Sequence, residues 1–390
     1  MHHFIYAKKD TWISSGSNTD TTGISEKDQN FGQDPILELK KKFYNDSFDF
    51  QTRVLIHFDL SELSQSIVKG DITEPRYYLR LYEAEGNQEL STEYKLVAHA
   101  LSQSWDEGTG KFGDNPKTTN GASWENINKF PGMSAVTWSN ADGTPFGTNY
   151  TKLHVGTSGS QEFGALGGNW ITGSGDASQS FSYQSPDVEM DITTMVNKWL
   201  DGTNKNHGLV LKFSGSQELD NKTFGQLKFF SSQTHTIYPP KLEVKWDDHA
   251  PCTGSNTGSL TPLSMSGKID NYVYMKGLKE SYKENEKVKF RVGARKRYIQ
   301  RRFDTSVQTI TGSYIHEGKG FYSIQDIATG ETIVPFSTYT SMSCDTTSNY
   351  FIQWLNGFAP DRVYKILYKL KYDDGQEQIF DDNFEFIVRR

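Results

Sequence analysis

Two tryptophans stand in polar, glycine-rich surroundings: Trp124 within Gly121-Ala122-Ser123-Trp124-Glu125-Asn126, and Trp170 within Gly167-Gly168-Asn169-Trp170-Ile171. An exposed indole can stack on a pyranose while neighbouring amides and carboxylates take its hydroxyls. The candidate carbohydrate contacts are therefore Trp124, Trp170, Asn126 and Asn169. The same rings can instead pack down beneath their own loops or bury at a subunit contact. A second group is basic. Arg291, Arg295, Lys296, Arg297, Arg301 and Arg302 fall within one short stretch, and Arg295, Lys296, Arg297, Arg301 and Arg302 are candidates for contact with phosphate or an acidic partner. A solvated strand pair explains the run as well. No nucleic-acid-binding motif surrounds it, so a nucleic-acid partner is not expected.

Catalytic chemistry finds little to stand on. The string Gly156-Thr157-Ser158-Gly159-Ser160 lacks the closing glycine of a nucleophile elbow and sits in a glycine-rich loop. No phosphate-binding loop, dinucleotide fingerprint or His-Glu-x-x-His string occurs. The histidines are scattered, and 48 Asp and Glu residues offer too many carboxylate pairs to single out a glycosidase dyad. The chain is read as a non-enzyme, with no catalytic residue, metal or cofactor assigned. Asp373-Asp374 and Asp381-Asp382 have the chemistry for a structural Ca²⁺, although turn formation accounts for them too. Cys252 and Cys344 allow at most one bridge.

These side chains must be held by strands. Hydrophobic residues make up 35% of the 390 residues and aromatics 13%, while mean hydropathy is -0.65; large rings in a polar chain suit β-sandwiches with polar loops. Short alternating or apolar runs predict strands at 53–58, 77–82, 94–100, 209–213, 226–230 and 242–246. Residues 191–202 differ: Ile192, Met195, Val196, Trp199 and Leu200 recur at helical spacing between a capping Asp191 and Gly202. Residues 108–135 and 140–180 read as long inserted loops. Residues 249–267, small and proline-containing, read as a linker between a domain over 1–248 and one over 268–390. Charge changes there too. Residues 1–250 hold 22 Lys and Arg against 32 Asp and Glu, and residues 251–390 hold 19 against 16. In the second part, strands are predicted at 287–292, 321–327, 350–354, 363–372 and 384–388, with a hairpin turn at Asp373-Asp374-Gly375. This is the spacing of an immunoglobulin-like β-sandwich.

Over residues 4–246 stand, in order, Lys9-Asp10-Thr11-Trp12-Ile13, Asn30-Phe31-Gly32, Leu37-Glu38-Leu39, Arg53-Val54-Leu55-Ile56-His57-Phe58-Asp59-Leu60-Ser61, Trp105-Asp106-Glu107-Gly108-Thr109, Val136-Thr137-Trp138, Asp191-Ile192-Thr193 through Trp199, Gly208-Leu209-Val210-Leu211, Phe230-Ser231-Ser232 and Pro240-Lys241-Leu242-Glu243-Val244. Together these segments resemble the DNRLRE-type domain, a jelly-roll β-sandwich similar to carbohydrate-binding modules. The resemblance implies an all-β chain, a jelly roll with one short helix followed by the second sandwich. Trp105, Trp138 and Trp199 lie in the recurring blocks as packing residues.

Two functions follow as expectations. One is a structural component of a bacteriophage particle, in contact with other virion proteins in many copies and with host-surface polysaccharide. The other is a soluble carbohydrate-binding protein of a polysaccharide-degrading system. The chain shows no apolar run long enough to insert in a membrane and no signal-peptide core at its start, which places it in the host cytoplasm and then the virion.

Overall fold

Arg53-Val54-Leu55-Ile56-His57-Phe58 alternates residues that serve both faces of a sheet, and in the structure it is an interior strand. The computed structural model describes residues 1–18, 24–44, 47–85, 93–130, 132–138, 167–171, 173, 175–182, 187–220, 222–266, 270–299, 302–308 and 312–390. It divides into two compact units, Ile5–Val68 with Arg76–Glu243, and Met1–Phe4 with Lys69–Pro75 and Val244–Arg390.

The first unit is built from β1 (His2–Ser14), β2 (Ile36–Tyr44), β3 (Ser47–Phe58), α1 (Ser61–Val68), β4 (Arg76–Leu81), β5 (Glu93–Leu101), β6 (Ala177–Ser182), β7 (Val188–Asp191), α2 (Thr193–Leu200), β8 (Leu209–Phe213), α3 (Gly215–Leu219), β9 (Gly225–Phe230) and β10 (Lys241–Lys245). The strands run in the order β6-β5-β8-β3-β1-β10-β4-β7, and β2 bridges β3 to β9 as the sheet curls. Antiparallel register pairs Leu55 with Val210 of β8 and with Thr11 of β1. The helix predicted at 191–202 is α2, and the Asp191 carboxylate accepts a hydrogen bond from the Thr193 amide at its start. The expectation of one helix is corrected by α1 and α3. At the start of α1, Asp59 caps the Ser61 amide.

Above the sheet face that carries Ile13, Leu55, Val210 and Leu101, the loops 102–138 and 167–170 lay down Trp105, Trp124, Trp138 and Trp170 as one buried cluster. Asn30 pins this loop layer. Its side-chain amide donates to the carbonyls of Glu107 and Ala122, and its oxygen accepts from the amides of Gly32 and Gly110. Residues 139–166 of the second predicted loop lie outside the described residues.

The second unit holds β11 (Asn271–Lys276), β12 (Ser281–Lys283), β13 (Lys287–Lys296), β14 (Gly320–Asp326), β15 (Thr332–Val334), β16 (Asn349–Trp354), β17 (Arg362–Lys371) and β18 (Glu377–Arg389). One sheet contains β11-β13-β16 and the other runs β12-β18-β17-β14-β15. Between them Val288, Phe290 and Val292 meet Tyr364, Ile366 and Tyr368 in a single core, the two-sheet sandwich that the strand spacing predicts. The predicted turn at 373–375 closes the β17–β18 hairpin, with the Tyr372 amide donating to the Gln376 carbonyl. Cys252 and Cys344 form a disulfide, and the buried Asn349 amide donates to Cys344 Sγ at 2.9 Å.

Candidate functional site

The sequence candidates Trp124 and Trp170 do come together, but not as a platform. They are 7% and 3% exposed. The Arg53 guanidinium lies against both, 4.6 Å from one ring centroid and 5.0 Å from the other. Arg53 projects from β3 beside Leu55 and donates through Nε to Glu218 at 2.9 Å and through Nη1 to the Gly167 carbonyl at 2.7 Å. Lys212 from β8 reaches the other Glu218 oxygen at 2.7 Å. Burial alone would raise the Glu218 carboxyl, and the Arg53 and Lys212 cations overcome it and hold the group at about 2. Gly167, at φ +85, closes the cage; a Cβ there would stand 2.7 Å from both Arg53 Nη1 and the Trp124 ring. The expectation that these indoles face solvent is therefore corrected: their faces are occupied by the protein's own guanidinium. Asn126 and Asn169 are buried as well. The backbone of Asn126 closes a turn with Ser123, and the Asn169 carbonyl accepts from the Ser102 amide and hydroxyl.

The basic candidates scatter. Arg295 lies over the Tyr272 ring at 4.9 Å. Lys296, the last residue of β13, is exposed, as are Arg297 and Arg302 beyond it, and Arg301 lies outside the described residues. The acidic pairs serve local partners, with Asp373 on Lys319, Asp381 on Lys365 and Asp374 on the Gln376 amide.

Half-exposed rings occur elsewhere in the first unit. On β9 the alternation Gln226, Lys228, Phe230 points outward while Leu227 and Phe229 are buried. Tyr82, following β4, and Tyr238, before β10, complete the group. Tyr82 and Tyr238 are 5.0 Å apart, and Phe230 and Tyr238 are 5.7 Å apart at 25°. Lys241 Nζ sits 4.9 Å over Tyr82. Across the strands Lys228 is registered with Glu38 of β2 and with Glu85, to which it is ion-paired. On β4, Arg80 bridges Glu189 at 3.1 Å and Glu243 at 2.7 Å. The result is one outer face where partly exposed rings alternate with the partly exposed Arg80, Lys228 and Glu38 and the exposed Glu85, while Lys241 and Glu243 are buried. Sequence reasoning passed over these residues because they sit in strand blocks, yet the period-2 pattern of Tyr78-Arg80-Tyr82 and Gln226-Lys228-Phe230 marks them as one solvent-side row.

Among solved structures, the adhesin domain of Epf from Streptococcus pyogenes aligns at 10% identity over 100% of this chain and 91% of that one. Its TM-score of 0.15 carries no argument. No curated protein matches the chain. Residues 2–145 match the model of carbohydrate-binding module family 96, which bears out the carbohydrate-binding-module part of the likeness read from the sequence.

Proposed function

We propose that the first unit is a non-catalytic carbohydrate-binding module whose contact face is the outer surface bearing Tyr82, Phe230 and Tyr238. The carrying observation is that group of half-exposed rings, set among Lys228, Glu38 and Glu85 at the sheet surface, together with a family match that spans Tyr82, Glu38 and Glu85. Rings supply flat apolar contact to sugar C–H faces and the flanking charged groups take hydroxyls. The family match gives the virion-assembly expectation no support, and glycan binding is the reading kept. Because Cys252 and Cys344 are bonded, we place its working environment outside a reducing cytosol. The test is a panel of neutral polysaccharides read by affinity electrophoresis. Retardation by at least one of them, abolished in Phe230→Ala/Tyr238→Ala and kept in a variant at the exposed Met133, supports the reading. No retardation by any, or retardation unchanged in the double variant, removes it.

A further inference from the structure

The second unit carries a different face that nothing above uses. In β13 the residues Val288, Phe290 and Val292 enter the core, so Lys287, Lys289, Arg291, Gly293 and Arg295 line the outer side. Antiparallel register sets Trp354 opposite Lys287 and Tyr350 opposite Arg291 on β16, and Tyr274 opposite Gly293 and Tyr272 opposite Arg295 on β11. Lys276 lies opposite Arg291 on the same strand β11. Cations and rings therefore interleave across three adjacent strands.

Contacts confirm the interleaving. Lys287 Nζ lies 5.0 Å over Trp354, Lys289 Nζ 3.6 Å over Tyr350 and the Arg295 guanidinium 4.9 Å over Tyr272. Tyr272 and Tyr274 lie side by side, 5.8 Å apart at 16°. Tyr274 lies flat on the sheet because Gly293 leaves the room: a Cβ at 293 would be 2.3 Å from the ring. Asp345 pairs with Lys289 and Arg291 at 2.9 Å each, fixing those two, while Lys287 and Arg295 are held by ring contacts.

We propose that this face binds an acidic polysaccharide. The rings fix long cationic side chains in a row on a flat surface, the arrangement that meets carboxylates repeated along a polymer. Single-stranded nucleic acid fits less well, because base stacking needs free ring faces, and here Trp354, Tyr350 and Tyr272 carry the protein's own cations while Tyr274 rests on Gly293. The inference does not depend on the face of the first unit.

The experiment uses the full chain bearing Phe230→Ala/Tyr238→Ala, so that the first face is out of play, with polygalacturonate, neutral dextran and a thymidine oligonucleotide as probes. Expected is binding of polygalacturonate that weakens as salt rises and drops by about tenfold or more in Lys287→Ser/Arg295→Ser, with dextran not bound. Both substitutions lie on the outer face, and an unchanged unfolding midpoint shows that the fold is kept. A salt titration of the parent chain gives a second reading that needs no variant. The proposal is overturned if polygalacturonate is not bound, if binding is indifferent to salt or to the double substitution, or if the oligonucleotide binds more tightly than the polysaccharide.

Discussion

Arg53 between Trp124 and Trp170, and Lys241 over Tyr82, use the same pairing of a cation with an aromatic ring, in the same unit, to opposite ends. In the first case the cation is fully buried and meets a buried carboxylate; in the second the ring keeps part of its surface in solvent. Ring type and polar neighbours do not decide whether an aromatic binds a ligand. What decides is whether the chain has already filled the ring's faces. At Trp124 and Trp170 it has, and those residues belong to stability; Tyr238, in contact with Tyr82 and Phe230, keeps part of its surface in solvent.

The sharpest way to break this contrast is Arg53→Ala. It removes a buried guanidinium and leaves Glu218 with Lys212 alone, 2% exposed, and a half-removed buried ion pair costs about 3–5 kcal/mol. Denaturant unfolding should show that loss. Trp170→Ala, which empties a large volume in the same cluster and strips a ring stacked 5.5 Å from His99, should cost about 3 kcal/mol. If either variant kept its stability and lost polysaccharide binding, the buried cluster would be the site and the contrast would fail.

The fold was legible where a strand shows a clean period or a short run buried on both faces. Leu209–Phe213 and Gly225–Phe230 read directly, as did α2, whose apolar residues recur at helical spacing. β1 was harder, since its pairing register with β3 shifts between Ala7 and Lys9 and spoils the alternation. In α1, Ser-Glu-Leu-Ser-Gln-Ser-Ile-Val buries only Leu63, too little for an amphipathic signal. The site was less legible than the fold. Sequence neighbours of Trp124 are polar, but its burial is set by Arg53, which arrives from a distant strand. No local pattern carries that contact. Phe230 and Tyr82 could be placed on a solvent face by alternation, whereas Tyr238, in an irregular segment, joins them only through the fold.

Acid titration separates two buried carboxyls of this unit. Burial pushes Asp10 up to about 6, against hydrogen bonds from the Ser232 amide and hydroxyl. The folded chain therefore takes up that proton before the unfolded chain does, and stability from Asp10 rises as pH falls through 6 toward the ordinary aspartate value. Glu218 has the opposite sign. Its contribution is full above the ordinary glutamate value and is lost as pH falls from there toward about 2. Between pH 7 and pH 3 the stability advantage of the parent chain over Asp10→Asn should grow as pH falls through 6, and its advantage over Glu218→Gln should shrink below the ordinary glutamate value. Comparison with each variant isolates its group, since His3, held down at about 4, and Asp59, held at about 2, titrate over the same range. An advantage over Glu218→Gln that does not shrink would mean that the charges of the Arg53 cage are not paired as described.

The smallest change in stability should accompany the largest change in binding. Tyr238 lies half-exposed in a segment between β9 and β10, touching Tyr82 and Phe230 by ring contact. Removing it opens no closed cavity, so Tyr238→Ala should cost under about 1 kcal/mol, a minor shift beside that of Trp170→Ala. Polysaccharide retardation should nevertheless fall strongly, because a ring that stacks on a sugar contributes surface no neighbouring side chain can replace. Tyr238→Phe discriminates further. It keeps the ring and deletes the hydroxyl, so binding by stacking survives it, and binding through a hydrogen bond does not. Equal losses of stability and binding in Tyr238→Ala would place the residue with Trp170 on the structural side and leave the outer face without its central ring.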